Sequence, residues 1–153
     1  MYHLYTTIEI SASPNTVREK FLDFSQLPTY HPNGFFKSIK TAVPDKAFEP
    51  GVKLHNVLEG MTIEPTLIEN SATCFRWGGT GLLGTFSGEH IFRFEPSTKT
   101  QGGTTFVHEE KFTGLLSFIM GHNPVARGIG LRDSTQKGFE RYNRDLKVWC
   151  EKL

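Results

Sequence analysis

The chain has 153 residues, with 17 Lys or Arg against 16 Asp or Glu and a formal net charge of +1. That length suits one domain with a proper core, expected here over 1–153, and the evenly mixed charges leave no basic stripe to neutralise a phosphate backbone, so nucleic acid is not an expected partner. No run approaches the roughly 18 continuous apolar residues of a membrane span. Cys74 and Cys150 stand alone without CxxC spacing, which reads as a reduced, cytoplasmic protein.

Residues 2–10 alternate polar and apolar types, as a first strand does, and lack the basic start and apolar run of a signal peptide. Ser13 is a good N-cap and Pro14 suits a first helical position, with Val17, Phe21 and Phe24 at helical spacing behind them. A second helical turn follows in SQLPTYHPNG, broken by Pro28, Pro32 and Gly34. FFKSIKTAV, VKLHNVLEG, MTIEPTLIEN and ATCFRWGG read as strands, Pro65 marking an edge or a bulge in the third of them. GTFSGEHIFRF and TTFVHEEKFTG form a hairpin across the loop EPSTKTQGG. The period then changes: from about Leu131, Thr135, Phe139, Tyr142, Leu146 and Trp149 step by four and three, a helix of about 20 residues and roughly 30 Å. Strands and helices are segregated, so the fold class is α+β, a bent antiparallel sheet around one long C-terminal helix.

Gly79, Gly81 and Gly84 match GxGxxG, but they lead into a strand, whereas a dinucleotide loop opens a helix whose N-terminus holds the pyrophosphate. A turn that lets the sheet bend is the better reading. Four stretches in order, ISASPNTVREKFLDFSQLPTYHP, RWGGTGLLGTFSGEHIFRFEP, TTFVHEEKFTGLL and GFERYNRDLKVWCE, resemble the polyketide cyclase/dehydrase-like branch of the START-like (SRPBCC) superfamily, which shares its fold with the birch-pollen allergen. The resemblance implies a helix-grip fold, seven antiparallel strands curled around the C-terminal helix. It also implies a deep apolar cavity for a lipid, sterol or polyketide, and no metal or other cofactor. The family mixes enzymes, carriers and sensors. It commonly has tryptophan before proline after the second short helix, where this chain has His31 before Pro32, at the expected pocket rim.

Side chains two apart on a strand share a face. His90 therefore lies with Phe86, Phe92 and Phe94, and His108 and Glu110 with Phe106 and Phe112. If Phe94 opposes Thr104, His90 opposes His108; a shift of two sets His90 against Glu110, and either register gathers all three. On this reading that face looks inward, and Ile91, Arg93, Val107, Glu109 and Lys111 look outward. Phe75 and Trp77, and Leu54, Asn56 and Leu58, are also expected inward; His55 points the other way. Three readings of the His90–His108–Glu110 cluster compete. It is a self-satisfied buried polar group, an acid–base set in which His90 acts, Glu110 orients it and His108 is a second proton donor, or a two-histidine, one-carboxylate metal site.

Asn56, Phe75, Trp77, Phe92, Phe106, Phe112, Phe139 and Tyr142 are the expected ligand contacts. Asn143 lies beside the apolar stripe of the last helix, and Arg141, Arg144, Asp145 and Lys147 read as its solvated face. LLSFIMGHNP (115–124) is either a lid or a helical turn packed on the sheet edge. The expected function is binding of a hydrophobic small molecule by a monomer or homodimer, with cofactor-free catalysis or simple carriage as alternatives. A co-chaperone-type interaction module on the same fold is the third option.

Overall fold

The computed structural model describes residues 1–152. Strand β1 (Tyr2–Ile10) leads into helix α1 (Pro14–Leu22), a 3₁₀ turn (Phe24–Gln26) and the one-turn helix α2 (Leu27–Tyr30). Then come β2 (Phe36–Thr41), β3 (Leu54–Leu58), β4 (Met61–Ile63), β5 (Thr66–Asn70) and β6 (Cys74–Gly81). After a tight turn follow β7 (Phe86–Pro96) and β8 (Thr104–Thr113), a 3₁₀ turn (Ser117–Met120), α3 (Pro124–Ile129) and the long α4 (Leu131–Cys150). The N-terminus of α1 forms where expected: the Ser13 hydroxyl accepts from Thr16 N at 3.2 Å and Pro14 opens the helix.

The strands pair antiparallel in two sheets, β1-β8-β7-β6-β5 and β2-β3-β4. The strand count differs from the expected seven because MTIEPTLIEN parts at Pro65, which has no N–H to give a ladder. β4 stays with β3 and β5 goes to β6. Leu54 N donates to Pro65 O at 2.8 Å and Leu67 N to Val52 O at 2.9 Å, so backbone bonds carry the curved surface across the break.

The grip is packed with rings. Phe21 of α1 lies 5.3 to 5.5 Å from Phe24, Phe75 and Phe94 and 4.8 Å from Phe92, centroid to centroid. Phe36, from β2, reaches across to 5.0 Å from Tyr142 of α4. These are ordinary contact distances for aromatic pairs. The space expected to be a deep cavity is thus occupied by the protein's own side chains. A second, smaller cluster joins Leu4, Phe112, Met120 and Phe139. Met120 belongs to 115–124, so that segment is a helical turn packed on the sheet edge rather than a free lid. Arg132 ties it down, donating to Met120 O and, at 2.9 Å, to His3 O.

Parity holds on the outer face, but Ile91, Val107 and Glu109 are buried there. Arg93 donates to Glu109 Oε1 at 2.8 Å and Arg76 to Glu89 Oε1 at 2.9 Å, and the stems of these long side chains cover the sheet. The helix face read as plain surface is likewise employed: Arg141 donates to Pro32 O and Asn33 O, and Lys147 to Glu9 O. Phe21→Ala is expected to lower stability by about 3–5 kcal/mol in urea unfolding; a loss below about 1 kcal/mol would mean that the ring cluster repacks freely around the gap.

Candidate functional site

The hairpin adopts the shifted register: His90 opposes Glu110, Phe92 opposes His108 and Phe94 opposes Phe106. The cluster expected from strand parity therefore forms, with the two histidines as diagonal neighbours. Their Nε2 atoms are 2.7 Å apart, a hydrogen bond with one proton between them. His90 Nδ1 lies 3.6 Å from Glu110 Oε1, just beyond hydrogen-bond length. Both imidazoles are buried, while the Glu110 side chain keeps 18% of its surface exposed. Gly88 makes room for that carboxyl, since a Cβ there would lie 2.7 Å from Oε2. This explains the glycine two residues before the histidine in GTFSGEHIFRF.

The polar chain continues where strand reasoning could not follow. His108 Nδ1 is 2.9 Å from Asn143 Oδ1 on α4. Asn143 Nδ2 donates to Thr6 Oγ1 of β1 at 2.9 Å, and Thr6 Oγ1 donates to His108 O at 2.8 Å. Aromatic faces hold the rings in place: Phe139 stacks on His108 at 4.0 Å, Phe92 stacks on His90 at 4.7 Å, and Phe36 lies 5.4 Å from His90 and 5.7 Å from His108. Thr6 falls in the inward row between Leu4 and Ile10 of β1, and strand parity alone does not mark its partner on α4. Asn143, beside the apolar stripe of the last helix and able to anchor a ligand or sit in the core, takes the second role here as the partner of His108 and Thr6.

The expected ligand contacts divide into three groups. Phe75, Trp77, Phe92, Phe106 and Tyr142 join the main ring cluster, Tyr142 with its hydroxyl 3.1 Å from that of Tyr30. Phe112 and Phe139 sit in the smaller cluster beside Glu110 and His108. Asn56, on β3 in the other sheet, is fully buried, and neither its Oδ1 nor its Nδ2 has a hydrogen-bond partner among the described residues. His55 points outward near Glu64, as expected. No group of three or more His, Cys, Asp or Glu side chains is arranged to hold a metal ion among the described residues.

His31 is not at a rim. It is buried, its Nδ1 2.7 Å from Asp145 Oδ2, while Phe36 N donates to its Nε2 at 3.3 Å. With Nε2 accepting, Nδ1 carries the proton and donates to Asp145, so this histidine latches α2 and β2 to α4. Gly34 is the condition for it: a Cβ there would lie 2.2 Å from the ring. Asp145, read as surface, is this latch's acceptor.

Burial sets the proton affinities. It holds His90 well below the usual imidazole range, lowers His31, brings His108 down to about 3, and pushes Glu110 up to about 8. An unfolded histidine takes a proton near pH 6.5 while these three resist, so their contribution to stability is present above that pH and lost as pH falls toward 3. Glu110 acts oppositely: its folded affinity is raised, so its contribution is full below about pH 4.5 and lost as pH rises through 8. Chemical denaturation across pH is expected to show greatest stability near pH 6.5, a steep acid decline and a gentler alkaline one. In Glu110→Gln the decline between pH 6.5 and about 8 is expected to vanish, while burial of the Cys74 and Cys150 thiols keeps a loss above about pH 9; persistence of the decline below pH 8 would show that another group causes it.

The sequence matches, over residues 1–146, the family described as polyketide cyclase / dehydrase and lipid transport. No curated protein matches it significantly. Among solved structures it is similar to a START superfamily protein from Mycobacterium smegmatis, with a TM-score of 0.68 at 16% identity over 99% of this chain and 98% of that one. It is similar to Ara h 8.0201, with a TM-score of 0.63 at 14% identity over 97% of each chain. It also resembles the Aha1 dimer from Colwellia psychrerythraea, with a TM-score of 0.60 at 14% identity over 97% of this chain and 98% of that one. At these identities the neighbours speak for the fold, which is the START-like helix grip shared with the allergen. Family match and fold agree over nearly the whole length: the chain belongs to the polyketide cyclase/dehydrase and lipid transport family.

Proposed function

We propose that the protein binds a hydrophobic small molecule, polyketide-like, aromatic or lipid, within the grip between sheet and α4. The observation that carries this reading is Asn56, whose amide is buried with its donors and acceptor unpartnered among the described residues. A polar group left so costs about 1–3 kcal/mol, and a ligand carbonyl or hydroxyl would satisfy it. The family description supports an apolar ligand. Because rings fill the grip, the ligand enters by displacing them, and a flat molecule can replace the displaced ring contacts with similar ones.

The catalytic form of this reading makes His90 the acid–base group, Glu110 its partner and His108 its second contact, moving a proton in a cyclisation, dehydration or isomerisation without a cofactor. The alternative is a carrier in which the same cluster only orients the ligand. The closed aromatic core and the resemblance to the Aha1 dimer keep an interaction role as a third outcome of the same experiment.

Native mass spectrometry of the full chain purified from its own host is expected to find a bound apolar molecule bearing a carbonyl or hydroxyl. Asn56→Leu is expected to lose that molecule by at least tenfold in affinity while raising the ligand-free protein's stability by about 1 kcal/mol. Destabilisation by Asn56→Leu would show that the amide is satisfied without a ligand. His90→Ala separates the two forms: turnover abolished with affinity kept supports catalysis, and turnover unchanged leaves the carrier.

A further inference from the structure

We propose that His90, His108, Asn143 and Thr6 form a one-way chain of hydrogen bonds, in which Asn143 sets the tautomer of both histidines, with the Glu110 carboxyl facing the open end of the chain at 3.6 Å. Glu110 stands at the open end as an uncharged carboxylic acid whose proton is committed to His90 and whose remaining oxygen accepts from a ligand hydroxyl. The ligand part rests on the reading of the grip as a ligand site; the chain itself does not.

The direction is set from the far end. A backbone carbonyl only accepts, so the Thr6 hydroxyl gives its proton to His108 O. Thr6 Oγ1 is then the acceptor for Asn143, which must present Nδ2 to it. That leaves Asn143 Oδ1, also only an acceptor, facing His108 Nδ1, so His108 carries its proton there. A neutral His108 has a bare Nε2, and the 2.7 Å contact places the shared proton on His90 Nε2. The remaining lone pair, on His90 Nδ1, faces Glu110 Oε1 at 3.6 Å. A carboxylate would set two acceptors against each other beside a buried ring. A carboxylic acid supplies the missing proton. The other solution, a charged His90 against a charged Glu110, desolvates two ions, and burial disfavours both charged forms.

The stacking of Phe139 and Phe92 prevents either ring from turning over to relieve this order. Only Glu110, with part of its side chain exposed and Gly88 making room for its carboxyl, can meet a visitor. His108 is thereby a relay to the helix rather than a second donor to the ligand. With no net charge in the chain and only an acceptor oxygen left at its end, a phenol or alcohol is accommodated, whereas a carboxylate or amine would lose its hydration without a counter-charge.

Long-range nitrogen-15 NMR of the imidazoles in the ligand-free full chain at neutral pH tests the order. The expected spectrum has His108 protonated on Nδ1 alone and His90 on Nε2 alone; an imidazolium at His90, or a proton on its Nδ1 in place of Nε2, overturns the proposal. In Asn143→Asp the carboxylate draws a second proton onto His108, and the His90 proton is expected to move to Nδ1, although residue 143 does not touch His90. In Thr6→Val, which frees the Asn143 amide to turn, His108 is expected to show both tautomers. Unchanged spectra in these variants overturn the positioning role of Asn143. For the ligand, 2-naphthol is expected to bind at least tenfold more tightly than 2-naphthoate. Equal binding overturns the rule of an uncharged ligand. Binding of neither probe sinks the ligand-site reading beneath that rule, while the tautomers are judged on their own spectra.

Discussion

Two imidazoles meet nitrogen to nitrogen at 2.7 Å in an aromatic interior, and much of the architecture is arranged around that contact. One proton must lie between them, and neither ring is solvated well enough to hold a charge easily. The contact therefore demands a donor or acceptor of the right kind behind each ring. α4 supplies the amide behind His108, and the hairpin supplies the carboxyl beside His90. β1 closes the circuit, since Thr6 returns to the carbonyl of His108 itself. Three elements distant in the chain are thus bound to one polar thread, and disturbing any of them strands a buried group.

The aromatic packing serves the same end. Phe92 and Phe139 stack on the faces of the imidazoles and Phe36 packs against both rings, while the polar contacts lie at the ring edges. In such a setting a tautomer is a structural property, as definite as a rotamer, because exchanging it would break several bonds at once. The grip also contains an amide for which this accounting does not close. Asn56 sits on the opposite sheet from the histidines, with nothing to bond among the described residues. Such an unpartnered amide is what a site for a mostly apolar molecule with one polar oxygen would look like from within.

His31 shows the same chemistry put to another use. It too is buried beside a carboxylate, but a backbone N–H occupies its second nitrogen. Nothing is left over to exchange with a ligand, and the residue works as a fastener between α2, β2 and α4. A histidine–carboxylate pair acquires chemical meaning only when one of its ends is left open, as at Glu110.

Strand parity and helical period in the amino-acid sequence determined the α+β class, the order of elements, the long C-terminal helix, and the gathering of His90, His108 and Glu110 on one face, because each is a local consequence of backbone geometry. Pro65 marked an edge or a bulge in MTIEPTLIEN, but the parting of that stretch into strands of two different sheets was not legible. The tertiary structure alone decided the hairpin register, which depends on where turns and neighbouring strands settle. It alone filled the grip with rings, because packing depends on side chains that meet from β2, α1 and α4. It brought Asn143 and Thr6, 137 residues apart, onto one histidine, a contact that no period along the chain encodes. And it turned Asp145 and Arg141 from apparent surface into anchors, since a helix face gains these partners only when a loop is laid across it.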